Sequence, residues 1–420
     1  MAAPVSLALF ASNHHFEGMP KTEPLLHDLW HSAPFRRACR ELAARDDAIV
    51  ETQIAISEIA APTGGEARRA AWIAARFHAL GLHNVRTDAA GNVIARCPGQ
   101  EDGDRAPVVL CAHLDTVFPG EMEPRVTRGG NRLAGPGIGD NGRGLAVMLA
   151  LAETIASRAL PTLSPVDFVA TTGEEGHGDL RGAKALFAGH ASSARAVIAL
   201  DGAGDERIVH RALGSRRFRI TFRGCGGHSW SAFGIANPVH AAALAAARLA
   251  RLTLPTTPRT TLSVARIGGG LSVNSIAQEA WLEVDLRSVS PAALDRYAQQ
   301  TRHIARIAAQ EENSRRAHGT APLDLIVKVI GDRPSGETPT TDPLVALAIE
   351  ATQLIGRTPE LATASTDANV PISLGIPAIA IGGGGRGGDA HTAGEWFDNT
   401  DGQLGVARAL AITVGAAGWS

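Results

Sequence analysis

The chain has almost no excess of charge. Across its 420 residues, 40 Lys and Arg stand against 42 Asp and Glu, a formal net charge of −2. Its basic residues are scattered and form no stripe interleaved with aromatics, so neither nucleic acid nor an anionic membrane surface is an expected partner. Cysteine is scarce as well. Cys39, Cys97, Cys111 and Cys225 lie far apart and make no C-x-x-C pair. That argues against a thiolate zinc site and a disulfide framework, and it fits a reducing cytoplasm. No apolar run is long enough to span a bilayer. The opening stretch "MAAPVSLALFASNHHFEG" has no basic region before its short apolar run. Residues 1–35 are therefore read as an extension and not as a signal peptide. There is no internal repeat.

Apolar residues are plentiful, at 45%. At this length two domains are the default expectation for a globular protein. "RRACRELAARDDAIVETQIAISEIA" and "GEARRAAWIAARFHALG" carry apolar residues at three- and four-residue spacing and predict helices broken by "PTGG". "NVRTDAAGNVIARC" predicts a strand hairpin. "VVLCA", "VDFVATT" and "ARAVIALDG" predict buried strands, with a helix at "GRGLAVMLALAETIASRAL". Such alternation predicts an α/β sheet covered on both faces. From "RRFRITFRG" to "LDLIVKVIG" the order becomes β-α-β-β-α-β, that of a ferredoxin-like α+β sandwich. Helix and buried strand then resume in "PLVALAIEATQLIG" and "IPAIAIGGGG". The smaller domain, 215–331, thus interrupts a larger one made of 1–214 and 332–420.

Several acids and histidines sit where strands end. "VLCAHLDTVFP" puts His113 and Asp115 at the C-terminal end of a buried strand, the edge at which open α/β sheets bind ligands. "AGPGIGDNGRG" sets Asp140 in a glycine-rich turn before a helix, where an N-cap and a ligand are both good readings. Adjacent Glu174 and Glu175 follow "VDFVATTG", Asp201 follows "VIAL", and His391 follows "IAIGGGGRGGDA". Paired acids suit a solvated loop, and Asp201 suits a turn. Taken together, two imidazoles and three carboxylates form a good ligand set for two zinc-like ions, with one carboxylate bridging.

The motifs "AHLDTV", "GDNG", "TGEEG", "ALDG", "GGHS", "STDAN" and "DAHT" resemble, in order and spacing, those of the M20 family of di-zinc metallopeptidases. The resemblance runs from about residue 40 to the end. It implies a mixed-sheet catalytic domain with an inserted lid and dimerisation domain, and a homodimer. It implies two divalent ions, zinc first, with cobalt or manganese as alternatives. His113 would bind one and His391 the other, Asp140 would bridge them, and Glu175 and Asp201 would complete one site each. Asp115 would orient His113 from behind. Glu174 would be the general base toward a metal-bridging water. His228 of "GGHSW" would stabilise the oxyanion, reaching a partner subunit's site. Asn274 and Arg287 would hold substrate, the Arg through a carboxylate, although Arg287 equally suits a structural ion pair. The family's habit implies a cis Asp140–Asn141 peptide. The expected reaction is hydrolysis of an amide bond in a small peptide or an N-acylated amino acid. The alternatives are an N-acyl or N-carbamoyl amino-acid amidohydrolase, and a metal-free, non-catalytic homologue.

Overall fold

The computed structural model describes residues 26–101, 105–157, 160–188 and 194–419. Most of the N-terminal extension lies outside them. Its last ten residues do not: Leu26, Leu29 and Phe35 are buried in the main core, on the short helix His27–His31 and the start of the helix Ala33–Ala44. The stretch 36–60 is not one helix. It breaks at Arg45 (φ −107°, ψ 14°) into Ala33–Ala44 and Asp46–Ser57.

One large mixed sheet organises the molecule. Its strands run His83–Thr87, Val93–Cys97, Val166–Thr171, Val108–His113, Ala196–Leu200, Ala378–Ile381, Arg207–Ala212 and Gly336–Glu337, and Glu360–Ala364 pairs off Arg207–Ala212. The centre is parallel: Val108–His113 pairs in that sense with both Val166–Thr171 and Ala196–Leu200. Period-two alternation supplies both faces. Val108, Leu110 and Ala112 join a core with the helices Gly144–Ala156 and Gly402–Ala417, while Val109 and Cys111 join a second core on the other face. Strands buried on both faces read as continuous apolar runs, as these do.

Residues 214–333 build a separate four-stranded antiparallel sheet in the order Thr260–Gly269, Glu279–Ser288, Gly214–Arg223, Asp324–Arg333. The helices Pro238–Ala250 and Pro291–Arg315 cover one face, packing on Phe218, Ile220, Phe222 and Leu282. Each of these helices starts with a polar cap followed by proline. The Asn237 and Ser290 side chains accept from Val239 and Ala293, and Pro238 and Pro291 have no N–H to satisfy. A further sheet of three-residue strands, Arg386–Gly388, Trp396–Asp398, Arg132–Ala134 and Thr127–Gly129, carries His391 in the loop that joins its first two strands.

Candidate metal centre

The C-terminal edge of the large sheet gathers the acids and histidines. His113 ends its strand, and Asp201 follows Ala196–Leu200. Asp140 comes from the turn leading into the helix Gly144–Ala156, and the Asp140–Asn141 peptide is cis, as expected. Asn141 ties that turn to the Asp201 loop, donating to the Leu200 carbonyl (2.8 Å) and accepting from Gly202 (3.2 Å). The approach is close enough to demand glycine at 144, where a Cβ would fall 2.1 Å from the Asn141 side-chain oxygen.

Asp140 lies between the two histidines. Its Oδ1 is 2.9 Å from His113 Nε2 and its Oδ2 is 3.0 Å from His391 Nε2. His391 Nε2 is also 2.9 Å from Glu175 Oε1, and His113 Nε2 is 3.9 Å from Asp201 Oδ1. Two donor groups share Asp140, His113 with Asp140 and Asp201, and His391 with Asp140 and Glu175, and a third brings His113 together with Glu174 and Glu175. The two that share Asp140 could each hold a divalent ion.

The charges within this cluster are strained. Burial pushes the Asp201 carboxyl up to about 7, reinforced by nearby Asp140. Burial, then Asp140, raises Glu175 as well, and burial holds Glu174 well above the usual carboxylate range. Hydrogen bonding to Asp140 carries His391 up to about 9. Burial opposes ionisation of Asp140, yet contacts with His113 and His391 more than offset it and hold this carboxyl low. Buried acids forced together in this way fit a dication that would relieve their repulsion.

The Glu174–Glu175 pair is set from behind by Asp115. The Asp115 carboxylate accepts from the backbone N–H of Glu174 (2.9 Å) and Glu175 (3.0 Å) and from the Thr63 hydroxyl (2.8 Å). Its carboxyl sits at about 2, because His113 and those two amides outweigh the cost of its burial. For His113 the nearer partner is the Asp115 carbonyl, 3.0 Å from Nδ1, while the Asp115 carboxylate is 3.7 Å away. The side chain thus positions the acid pair more directly than the imidazole.

Glu395 and Arg333 are two buried groups beside the cluster that sequence reasoning misses. Buried Glu395 accepts from the N–H of Gly137 (2.8 Å), Gly139 (2.8 Å) and Asp140 (2.9 Å), fixing the turn that presents Asp140. Its signal was an acid four residues beyond His391 in a glycine-rich loop. Arg333 contacts Glu174 directly.

A cavity of about 490 Å³ opens over the cluster, lined by Asp140, Glu174, Glu175, Asp201 and His391 together with Arg207, Arg217, Arg287 and Arg333. Arg287 faces it while its Nε donates to Asp285 (2.7 Å), so both sequence readings of this residue have a counterpart. His228 and Asn274 do not line it. They lie together at a separate two-stranded ribbon, Gly227–His228 with Ser275–Ile276, where Ser229 N–H donates to the Asn274 carbonyl (2.9 Å) and His228 is exposed.

Residues 92–216 match Peptidase family M28, and residues 212–313 match the M20 peptidase dimerisation domain. No curated protein gives a significant match. Solved structures do. Aminopeptidase PepT from Bacillus cereus is similar at 24% identity and TM-score 0.71, over 88% of this chain and 98% of that one. A Staphylococcus aureus tripeptidase is similar at 22% and 0.72, over 88% and 98%. A dinuclear metal-binding M20 peptidase from Bacillus subtilis is similar at 18% and 0.63, over 89% and 98%. At such identities the structural likeness is one of fold. A Peptidase family M28 match over the strands that carry the cluster, a peptidase dimerisation match over the inserted sheet and a fold shared with solved M20 peptidases across nearly the whole length together support an M20-type metallopeptidase.

Proposed function

We propose that the chain hydrolyses the amide bond of a small peptide, with two divalent ions, zinc foremost, held by His113, Asp140 and Asp201 and by His391, Asp140 and Glu175. The observation that carries this reading is Asp140, one oxygen turned to each histidine, with a further carboxylate at each end. When bound, such ions supply an acidified water and a Lewis acid. Glu174, beside the cluster but in neither donor group around Asp140, takes the proton of the attacking water and returns it to the leaving amine. Asp115 keeps Glu174 and Glu175 in place by accepting both of their amides. The arginines of the cavity suit a substrate carboxylate, with Arg287 as the gripping residue. Hydrolysis of an N-acyl or N-carbamoyl amino acid is a second reading supported by the same arginines, since such substrates also end in a carboxylate.

His228 and Asn274 act, on this proposal, in the site of a second copy. Around them Trp230 and Phe233 are each 86% exposed, and Leu271 and Val273 are fully exposed. An apolar collar of this kind calls for a covering surface. The matched dimerisation domain supports a second copy as that cover. Four free cysteines, Cys97 and Cys111 buried among them, fit a cytoplasmic setting.

The deciding experiment compares Glu174→Gln with Glu175→Gln. Glu174→Gln should lower turnover by about 10²-fold or more while leaving the metal content intact, because the amide keeps the shape and loses the base. Glu175→Gln should instead lose metal. Equal metal loss in both variants would show that the two roles are wrongly assigned.

A further inference from the structure

Arg333 is the last residue of the inserted sheet, on the strand Asp324–Arg333, and it pairs in register with Ser215 near the start of Gly214–Arg223. The two chain crossings between the sheets therefore run side by side here. Asn369 binds them together: its side-chain amide donates to the Leu213 carbonyl (3.0 Å) on the outgoing crossing and to the Pro334 carbonyl (2.9 Å) on the returning one. From this junction the buried Arg333 side chain reaches the metal-bearing sheet. Its Nη1 donates to Glu174 Oε1 (3.1 Å) and to the Ser365 hydroxyl (3.1 Å), and its Nη2 donates to the Glu174 backbone carbonyl. Glu174 is thus held at three points: its N–H by Asp115, and its carbonyl and carboxylate by Arg333.

The other arginines of the cavity are placed differently. Arg217 and Arg287 share Asp285 within the inserted sheet, Arg217 also donating to the Gly176 carbonyl just past the acid pair (2.9 Å), and Arg207 makes no ion pair among the described residues. Only Arg333, of these four, joins the inserted sheet's junction to the acid pair by an ion pair. A guanidinium fork on both the main chain and the side chain of one residue fixes its rotamer as well as its loop.

We propose that Arg333 is a positioning residue for Glu174, so that the place of the general base is set by the junction of the inserted sheet as well as by the sheet that carries the metal ligands. This rests on the reading of Glu174 as the base. A catalytic group misplaced by about 1 Å costs on the order of 10² in rate. Metal-replete Arg333→Gln should therefore lose about 10²-fold in kcat, with KM changed by less than about threefold. In a Glu174→Gln background the same substitution should add nothing, because the group it positions is already gone. Added methylguanidine should restore part of the activity of Arg333→Ala, since the guanidinium borders an open cavity. Arg333→Lys should fold if the buried charge is what folding requires, and should still lose kcat, because an ammonium cannot span both oxygens. Placement is also read without turnover: amide exchange in residues 172–176 should quicken about tenfold in the variant. Unchanged exchange, kcat within about threefold of native, or an equal loss in the Glu174→Gln background would each overturn the proposal. Full activity of Glu174→Gln itself would instead sink the reading of the base, which separates the two failures.

Discussion

Replacing Glu395 by Gln tests whether one remote carboxylate shapes the metal centre. The native group places Oε2 on the Gly137 N–H and Oε1 on those of Gly139 and Asp140. A carboxamide has one acceptor oxygen, so its NH2 must face at least one backbone donor. That leaves a buried N–H unsatisfied, at about 1–3 kcal/mol, and removes the charge assistance from the others, at about 1 kcal/mol each. The expected loss is about 3–5 kcal/mol, concentrated in the turn that carries Asp140. Because Asp140 belongs to both donor groups, both ions should loosen, by about 10- to 100-fold in affinity. The assay is metal retained per chain after dialysis against graded chelator, read by mass spectrometry alongside the thermal midpoint. Glu395→Gln protein that keeps two ions as tightly as native across the series would refute the reasoning.

Metal binding should release protons. His391 near 9 and Asp201 near 7 must each lose a proton to ligate, so affinity should rise with pH up to about 9 and fall steeply below about 7, where both are protonated. Calorimetry at pH 7 in two buffers of different ionisation enthalpy should report at least about one proton released per chain, and none would contradict the assignment. Mixing His228→Ala with Glu174→Gln under subunit exchange should restore roughly a quarter of native activity, because about half the dimers are mixed and each carries one whole site. Proven exchange without recovery would mean that His228 serves its own chain.

The candidate ligands are legible because each stands where a local pattern ends. An uninterrupted apolar run announces a buried strand, and the next polar residue falls on the sheet's binding edge, as with His113, Asp201 and the 174–175 pair. Asp140 was legible by its glycines. Glu395 was not, because its partners are backbone N–H groups more than 250 residues earlier, and no side-chain pattern marks an amide. Arg333 was hidden for a similar reason: "GDRPSG" looks like a polar turn until the fold brings it against Glu174. The break at Arg45 was missed because apolar spacing carries through it. The strands around His391 are three residues long, too short for alternation to register.

The strand Ala378–Ile381 lies inside the large sheet, parallel to Ala196–Leu200 on one side and antiparallel to Arg207–Ala212 on the other. During synthesis, that slot stays empty while some 170 further residues emerge, including the whole inserted sheet. Two apolar strand edges wait unpaired for that time, open to pairing with another nascent chain. The inserted sheet draws all four strands from one continuous stretch and can close first. His391 comes off the ribosome after the missing strand. A growing chain therefore completes neither half of the centre until the large sheet closes, because Glu395, which fixes the turn of Asp140, emerges later still.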